Sequence, residues 1–109
     1  MVVFMSLDGF DGPSAILLSY DVTGASRSSA VHVCRIVFGR TRASSDGHVR
    51  EEKGFIHRPG VVWIGQSVLV LPTRDANELA DRLRGLGASV AMGPVTIARE
   101  TLGRFSRPA

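Results

Sequence analysis

Ala15-Ile16-Leu17-Leu18-Ser19-Tyr20-Asp21-Val22 runs into Thr23-Gly24-Ala25-Ser26, and this passage decides the fold class. The first eight residues are almost wholly apolar, which predicts a short central strand buried on both faces. Thr23 to Ser26 is turn chemistry, with Ser26 placed to cap a helix. Beyond it Ala30, Val33, Cys34, Val37 and Phe38 recur at three- and four-residue spacing. That stripe predicts an amphipathic helix with Arg27 and Arg35 off its apolar side, stopped by Gly39.

Reading outward, residues 40–48 form a polar, basic loop and Val49 to His57 a strand with Gly54 as a bulge. Arg58-Pro59-Gly60 is a turn. Val61 to Leu71 is the strongest strand signal, rich in Val, Ile and Leu. Asp75 with Glu78 three residues later reads as a capping box. It opens a second helix whose apolar face is Ala76, Leu79, Ala80, Leu83 and Leu86 and which ends at Gly87. Glu78 and Arg82 add an i,i+4 pair to it. Ser89 to Ile97 is the last strand. The resulting order, β-α-β-β-α-β, predicts an α+β, ferredoxin-like sandwich: one antiparallel sheet with two helices on one face. The expected domain covers residues 15–98, with an extended basic hairpin at 40–60, a loose lead-in over 1–14 and a basic tail over 99–109. The sheet face away from the helices is expected to meet solvent, nucleic acid or a second copy.

Composition bounds the function. The chain has 109 residues, 44% hydrophobic and 21% charged, which suits one folded domain. No apolar run approaches the roughly 20 residues of a membrane span. The first five residues lack the basic and apolar regions of a secretory signal. One cysteine, Cys34, excludes a disulfide framework and fits a reducing cytoplasm. His32, His48 and His57 have no metal-ligand spacing. Charge is uneven: residues 27–58 carry seven basic side chains against three acidic ones, while residues 1–26 carry three acids and no base. Twelve of the thirteen basic residues are arginine, whose planar fork suits bidentate phosphate contacts.

Several features each admit two readings. Asp21, at the end of an apolar strand, either accepts hydrogen bonds from the following loop or binds Mg²⁺ alone or with its twin across a dimer axis. Val22-Thr23-Gly24-Ala25-Ser26-Arg27 begins like a dinucleotide fingerprint, but Ser28-Ser29-Ala30 lacks its later glycines. It is either a plain helix cap or, with Ser26, Ser28 and Ser29, a hold on one phosphate. Arg40, Arg42, Arg50, Lys53 and Arg58 form a basic stretch interrupted by Glu51 and Glu52. It is a solvated mixed-charge hairpin or a track for a phosphate backbone. Trp63 sits among aliphatic neighbours, which favours a core or dimer contact over a base-stacking platform.

The order strand, Tyr20-Asp21-Val22, turn, arginine-bearing helix, Phe38-Gly39 resembles the start of the CRISPR-associated Cas-two family of small ferredoxin-like proteins. Gln66-Ser67-Val68-Leu69 is similar to that family's Gln-x-Ser-Val-Phe strand, one residue shorter and without the aromatic. The resemblance spans about residues 15–97, with a longer segment at 40–60 than the family has. It implies a homodimer that binds nucleic acid, DNA or RNA, and a Mg²⁺-dependent endonuclease activity. Asp21 is then the shared metal-site and catalytic carboxylate, Ser67 a catalytic residue lining the same cleft, and Arg27 and Arg35 phosphate contacts. The other expected class is a non-catalytic homodimeric interaction or regulatory module on the same fold.

Overall fold

A computed structural model describes residues 15–105. Its elements are β1 (Ala15–Asp21), α1 (Arg27–Phe38), β2 (Gly39–Ala43), β3 (Val49–Lys53), a 3-10 turn (Phe55–His57), β4 (Val62–Gly65), β5 (Val68–Leu71), α2 (Thr73–Gly85), β6 (Ser89–Val95) and α3 (Arg99–Leu102). The chain is an α+β protein. Four strands form one sheet in the order β4-β5-β1-β6, every neighbour antiparallel, and β2 with β3 forms a separate two-stranded ribbon. The expected lead-in over 1–14 and the last residues of the tail, 106–109, lie outside the described residues.

Period-two alternation in β1 sets the two faces of the sheet. Leu18 is fully buried and paired with Leu69, and Ile16 with Leu71, all toward the helices. Val33, Ile36 and Val37 of α1 and Ala76, Leu79, Ala80 and Leu83 of α2 meet them in one core. Both helices therefore pack on the same sheet face. The opposite face carries Leu17, Ser19 and Asp21 of β1, paired with Gly93, Ala91 and Ser89. Val62 and Val70 on that face are buried outside the helix-side core, while Leu17 is 42% exposed.

Ser26 caps α1 as expected, accepting a hydrogen bond from the Ser29 amide at 3.1 Å. Gly39 closes the helix with φ +79°. Cys34 is exposed and Ile36 buried, so the apolar stripe lies to one side of the one read from the sequence.

Three boundaries differ from expectation, each for a local reason. The run Val61–Leu71 is two strands, because Gly65 (φ +159°) and Gln66 (φ +46°) turn the chain back on itself. The Trp63 indole N–H donates to the Gln66 carbonyl at 2.9 Å and helps hold that left-handed residue. The segment read as loop and strand, 40–57, is a ribbon outside the main sheet followed by a 3-10 turn. The main sheet takes both strands of its β4–β5 hairpin from this one apolar run, and the Val49–His57 segment expected as a middle strand is not part of it. Helix α2 starts at Thr73 behind Pro72, so Asp75 is not its cap. Both Asp75 and Glu78 instead bind Arg58.

Candidate nucleic-acid interface

The ribbon grows directly out of the end of α1. Gly39 and Gly54 lie back to back at its foot, where a Cβ on either would collide with backbone of the other. Only glycine permits that approach. The chain thus leaves and re-enters the domain at nearly one point. The Gly54 amide donates to His57 Nδ1 at 3.1 Å, which shapes the 3-10 turn that follows. That turn buries Phe55 and Ile56 under α1 and α2.

Around this foot lies a cavity of about 500 Å³. Its cations come from four segments: Arg35 from α1, Arg40 and Lys53 from the ribbon, Arg58 from the turn and Arg82 from α2. Ser28 and His32 add hydroxyl and imidazole groups, and Glu52 is its one acid. Phe55 is the floor: the Arg58 guanidinium stands 3.9 Å from its ring centroid and that of Arg82 5.6 Å.

The cations are not equivalent. Arg58 forks onto both oxygens of Glu78, at 2.9 and 3.0 Å, and reaches Asp75 at 3.0 Å. The Glu78 carboxylate, with Asp75, raises the Arg58 guanidinium pKa, and Arg58 in turn holds Glu78 below the ordinary glutamate range. Arg40 Nε donates to Glu52 at 2.6 Å and Arg42 reaches the other Glu52 oxygen at 3.4 Å. Arg40 thereby lowers the Glu52 pKa, with Arg42 contributing less. Arg35 and Lys53 form no ion pair among the described residues, and Arg82 is 4.0 Å from Glu78. Three cations are thus left to meet a ligand.

Both lowered carboxylates predict one acid response. A depressed folded-state pKa gives stabilisation that is present above the ordinary glutamate value of 4.5 and lost as pH falls through the lower folded value. The foot of the ribbon and its tie to α2 are expected to loosen below pH 4.5 before the core does. Amide hydrogen exchange at Arg40–Lys53 and at Phe55–Arg58, compared with Leu79–Leu83 across an acid series, measures this; uniform loss of protection contradicts it.

The ribbon continues the charge outward. Arg40 and Arg42 share a ribbon face with their cross-strand partners Glu52 and Arg50. Arg42 and Arg50 are directly opposite each other, a like-charge pair that costs the ribbon stability when nothing lies over it. At the tip, Asp46 accepts from the Ser44 hydroxyl and from the His48 amide, and the Ser44 amide donates to the His48 carbonyl at 2.8 Å. The tip carboxylate is therefore spent on the turn, its pKa lowered first by the Ser44 hydroxyl.

The residues singled out from the sequence divide into three places. Arg35, Arg40, Lys53 and Arg58 meet in the cavity, and Arg42 and Arg50 line a second hollow near the ribbon tip. Arg27, first residue of α1, lines neither. Asp21 and Ser67 stand together at another end of the sheet, where the Tyr20 amide donates to the Ser67 carbonyl at 3.1 Å. Neither lines the cavity. The Tyr20 phenol there is raised by burial, with Ser67 beside it partly offsetting the rise. Arg82 and His32 are members that the sequence does not mark as part of a site. The spacing of Arg82 from Glu78 reads as a helix-surface ion pair, and the guanidinium is 4.0 Å from Glu78 and also faces the Phe55 ring.

The donors at Asp21 test the Mg²⁺ expectation. Asp21 Oδ1 accepts from the Thr23 amide at 2.9 Å and the Thr23 hydroxyl at 2.6 Å. The hydroxyl, then the amide, lowers its pKa. The loop-anchoring reading of Asp21 is therefore the observed one, with Oδ2 left over. No group of three or more His, Cys, Asp or Glu side chains that could hold a metal occurs among the described residues. One chain thus offers a single carboxylate oxygen here, short of a Mg²⁺ site built from its own side chains.

Trp63 packs against the core with its ring edge-on to Phe38, centroids 5.7 Å apart. It is a core contact. No helix among the described residues is long and apolar enough to cross a membrane. Comparison with family models, with curated proteins and with solved structures gave no match.

Proposed function

We propose that this chain is a nucleic-acid-binding protein of ferredoxin-like fold, which grips phosphate backbone along the basic track from the helix-side cavity onto the ribbon. The observation that carries this reading is the gathering of five cations from four separate segments around one concavity. Assembling like charges costs free energy that a polyanion returns. The interleaved sheet order supports the ferredoxin-like assignment: β5 lies between β1 and β4, and β1 between β5 and β6, each outer pair spanned by a helix on one face. The Cas-two resemblance belongs to this reading, as does a reducing cytoplasmic setting for the free thiol of Cys34.

Labelled duplex and single-stranded probes followed by fluorescence anisotropy across a salt series test it. Log affinity is expected to fall linearly with log salt, with a slope of about −0.9 per duplex phosphate contact. No binding to any probe at low salt overturns the reading. Endonuclease activity needs a second copy to bring another Asp21, so Asp21→Ala should abolish any Mg²⁺-dependent cleavage and leave binding unchanged.

The alternative, a homodimeric interaction module, is favoured by the sheet face away from the helices. It bears no lysine or arginine among the described residues and leaves Leu17 42% exposed. The partner that this face suits is a second copy meeting it across a two-fold axis. Leu17→Glu is then expected to convert a dimer to a monomer in sedimentation equilibrium. A wild-type chain that is monomeric at every concentration removes the alternative.

A further inference from the structure

We infer that the β2–β3 ribbon enters the major groove of B-form duplex DNA, with Arg42 and Arg50 facing base edges while the cations at its foot hold the flanking phosphates. This rests on the nucleic-acid reading above and names its partner.

The shape is the first argument. Two paired strands lie about 4.8 Å apart, and their five paired positions span about 17 Å. With side chains, such a ribbon fits a groove about 12 Å wide and about 8.5 Å deep, the dimensions of the B-DNA major groove. The minor groove, about 6 Å wide, is too narrow. The A-form major groove of duplex RNA is deep and closed to side chains.

The placement of charge is the second. Arg42 and Arg50 form an opposed, exposed pair on one ribbon face, one pair in from the tip and next to Arg40 and Glu52. Beyond the foot, where Gly39 pairs with Lys53, the opposite face carries Thr41, Ala43, Val49 and Glu51 and no cation. A ribbon that merely lay across a backbone would gain most from cations along its edges or on both faces. An opposed arginine pair near the tip of one face is what guanine O6 and N7 accept, each through a bidentate guanidinium. Arg35, Lys53 and Arg82 lie back at the foot, where a phosphate rim would pass once the arm is seated.

The third is the lack of an exposed aromatic on the ribbon or the cavity wall. Phe55 is buried, Trp63 is edge-on to Phe38, and Tyr20 is half-buried in the core. Single-strand binding leans on exposed aromatic platforms. Neither the ribbon nor the cavity wall offers one, so paired nucleic acid is the better match.

The experiment combines competition with a groove-specific footprint. The full chain is titrated with a mixed-sequence DNA duplex and its RNA counterpart, and guanine N7 methylation by dimethyl sulfate is followed on the DNA. DNA is expected to win by at least about tenfold, with N7 protected over a few neighbouring base pairs. Arg42→Lys with Arg50→Lys keeps the charge and the ribbon but removes the bidentate forks. It should erase the N7 protection and cost about tenfold in affinity while leaving the salt slope intact. Equal binding of RNA duplex, or DNA binding without N7 protection, overturns this inference and leaves the broader proposal standing. Absence of binding to any nucleic acid overturns both.

Discussion

Gly54→Ala is expected to be one of the two most damaging single methyl additions to the described residues, with Gly39→Ala the other. A Cβ at Gly54 would collide with the Gly39 amide nitrogen, the Val37 carbonyl oxygen and the Phe38 carbonyl carbon, all backbone atoms with no side-chain freedom to yield. Overpacking costs about 1–3 kcal/mol when side chains can shift. Here α1 or the 3-10 turn must move, so a loss of about 3 kcal/mol or more is expected. Urea denaturation measures it. The contrast is Gly47 at the ribbon tip, where a Cβ meets nothing within 4 Å but φ is +88°. Gly47→Ala should therefore cost only the strain of a left-handed alanine, about 1 kcal/mol. If the two variants are equally stable, the back-to-back glycine contact is not a structural constraint.

The largest functional effect is expected from Arg35→Ala, Lys53→Ala and Arg82→Ala combined. These are the cavity cations least committed to carboxylates, and all three are exposed, so the fold should tolerate their loss. Duplex affinity at low salt is expected to fall by about two orders of magnitude, and the salt slope to shrink by up to about 2.7. Arg58→Ala is a different experiment. It releases Glu78 and Asp75 from their partner and strips a cation from the Phe55 ring, so it should destabilise the protein as well as weaken binding. An unchanged slope in the triple variant would place the interface elsewhere.

The sequence was most legible where a pattern has one physical solution. The apolar run into Ser26 produced β1 and the cap of α1, but burial on both faces did not follow: Leu18 is buried on the helix side while Leu17 and Ser19 on the other face are exposed, because nothing among the described residues covers them. Helix α2 was equally plain, from Ala76, Leu79, Ala80 and Leu83. The turn inside Val61–Leu71 was hidden because Gln66 adopts a left-handed conformation that its side chain does not advertise, held by the Trp63 indole. The Asp75 and Glu78 spacing matched a capping box, but a distant arginine, Arg58, outbid the local amides. The same long-range pairing explains the site. Arg35, Arg40, Lys53 and Arg58 stand out as basic residues in the sequence, but only the close approach of Gly39 and Gly54 brings them to one cavity with Arg82. Asp21 stands out in the sequence as a carboxylate at the end of an apolar strand, and the partner of its Oδ1 is Thr23, two residues away.

The back-to-back glycines carry one more consequence. Because the ribbon departs and returns at a single point, the domain experiences it as a side branch rather than as a link in the core. Loop-closure entropy changes only by about 0.6 kcal/mol for each doubling of length. The arm can therefore be trimmed to a tight turn, extended, or exchanged for another chain's hairpin, with β1, β5 and the two packed helices left in register. Its reach is an adjustable dimension of this molecule, set independently of the body that carries it.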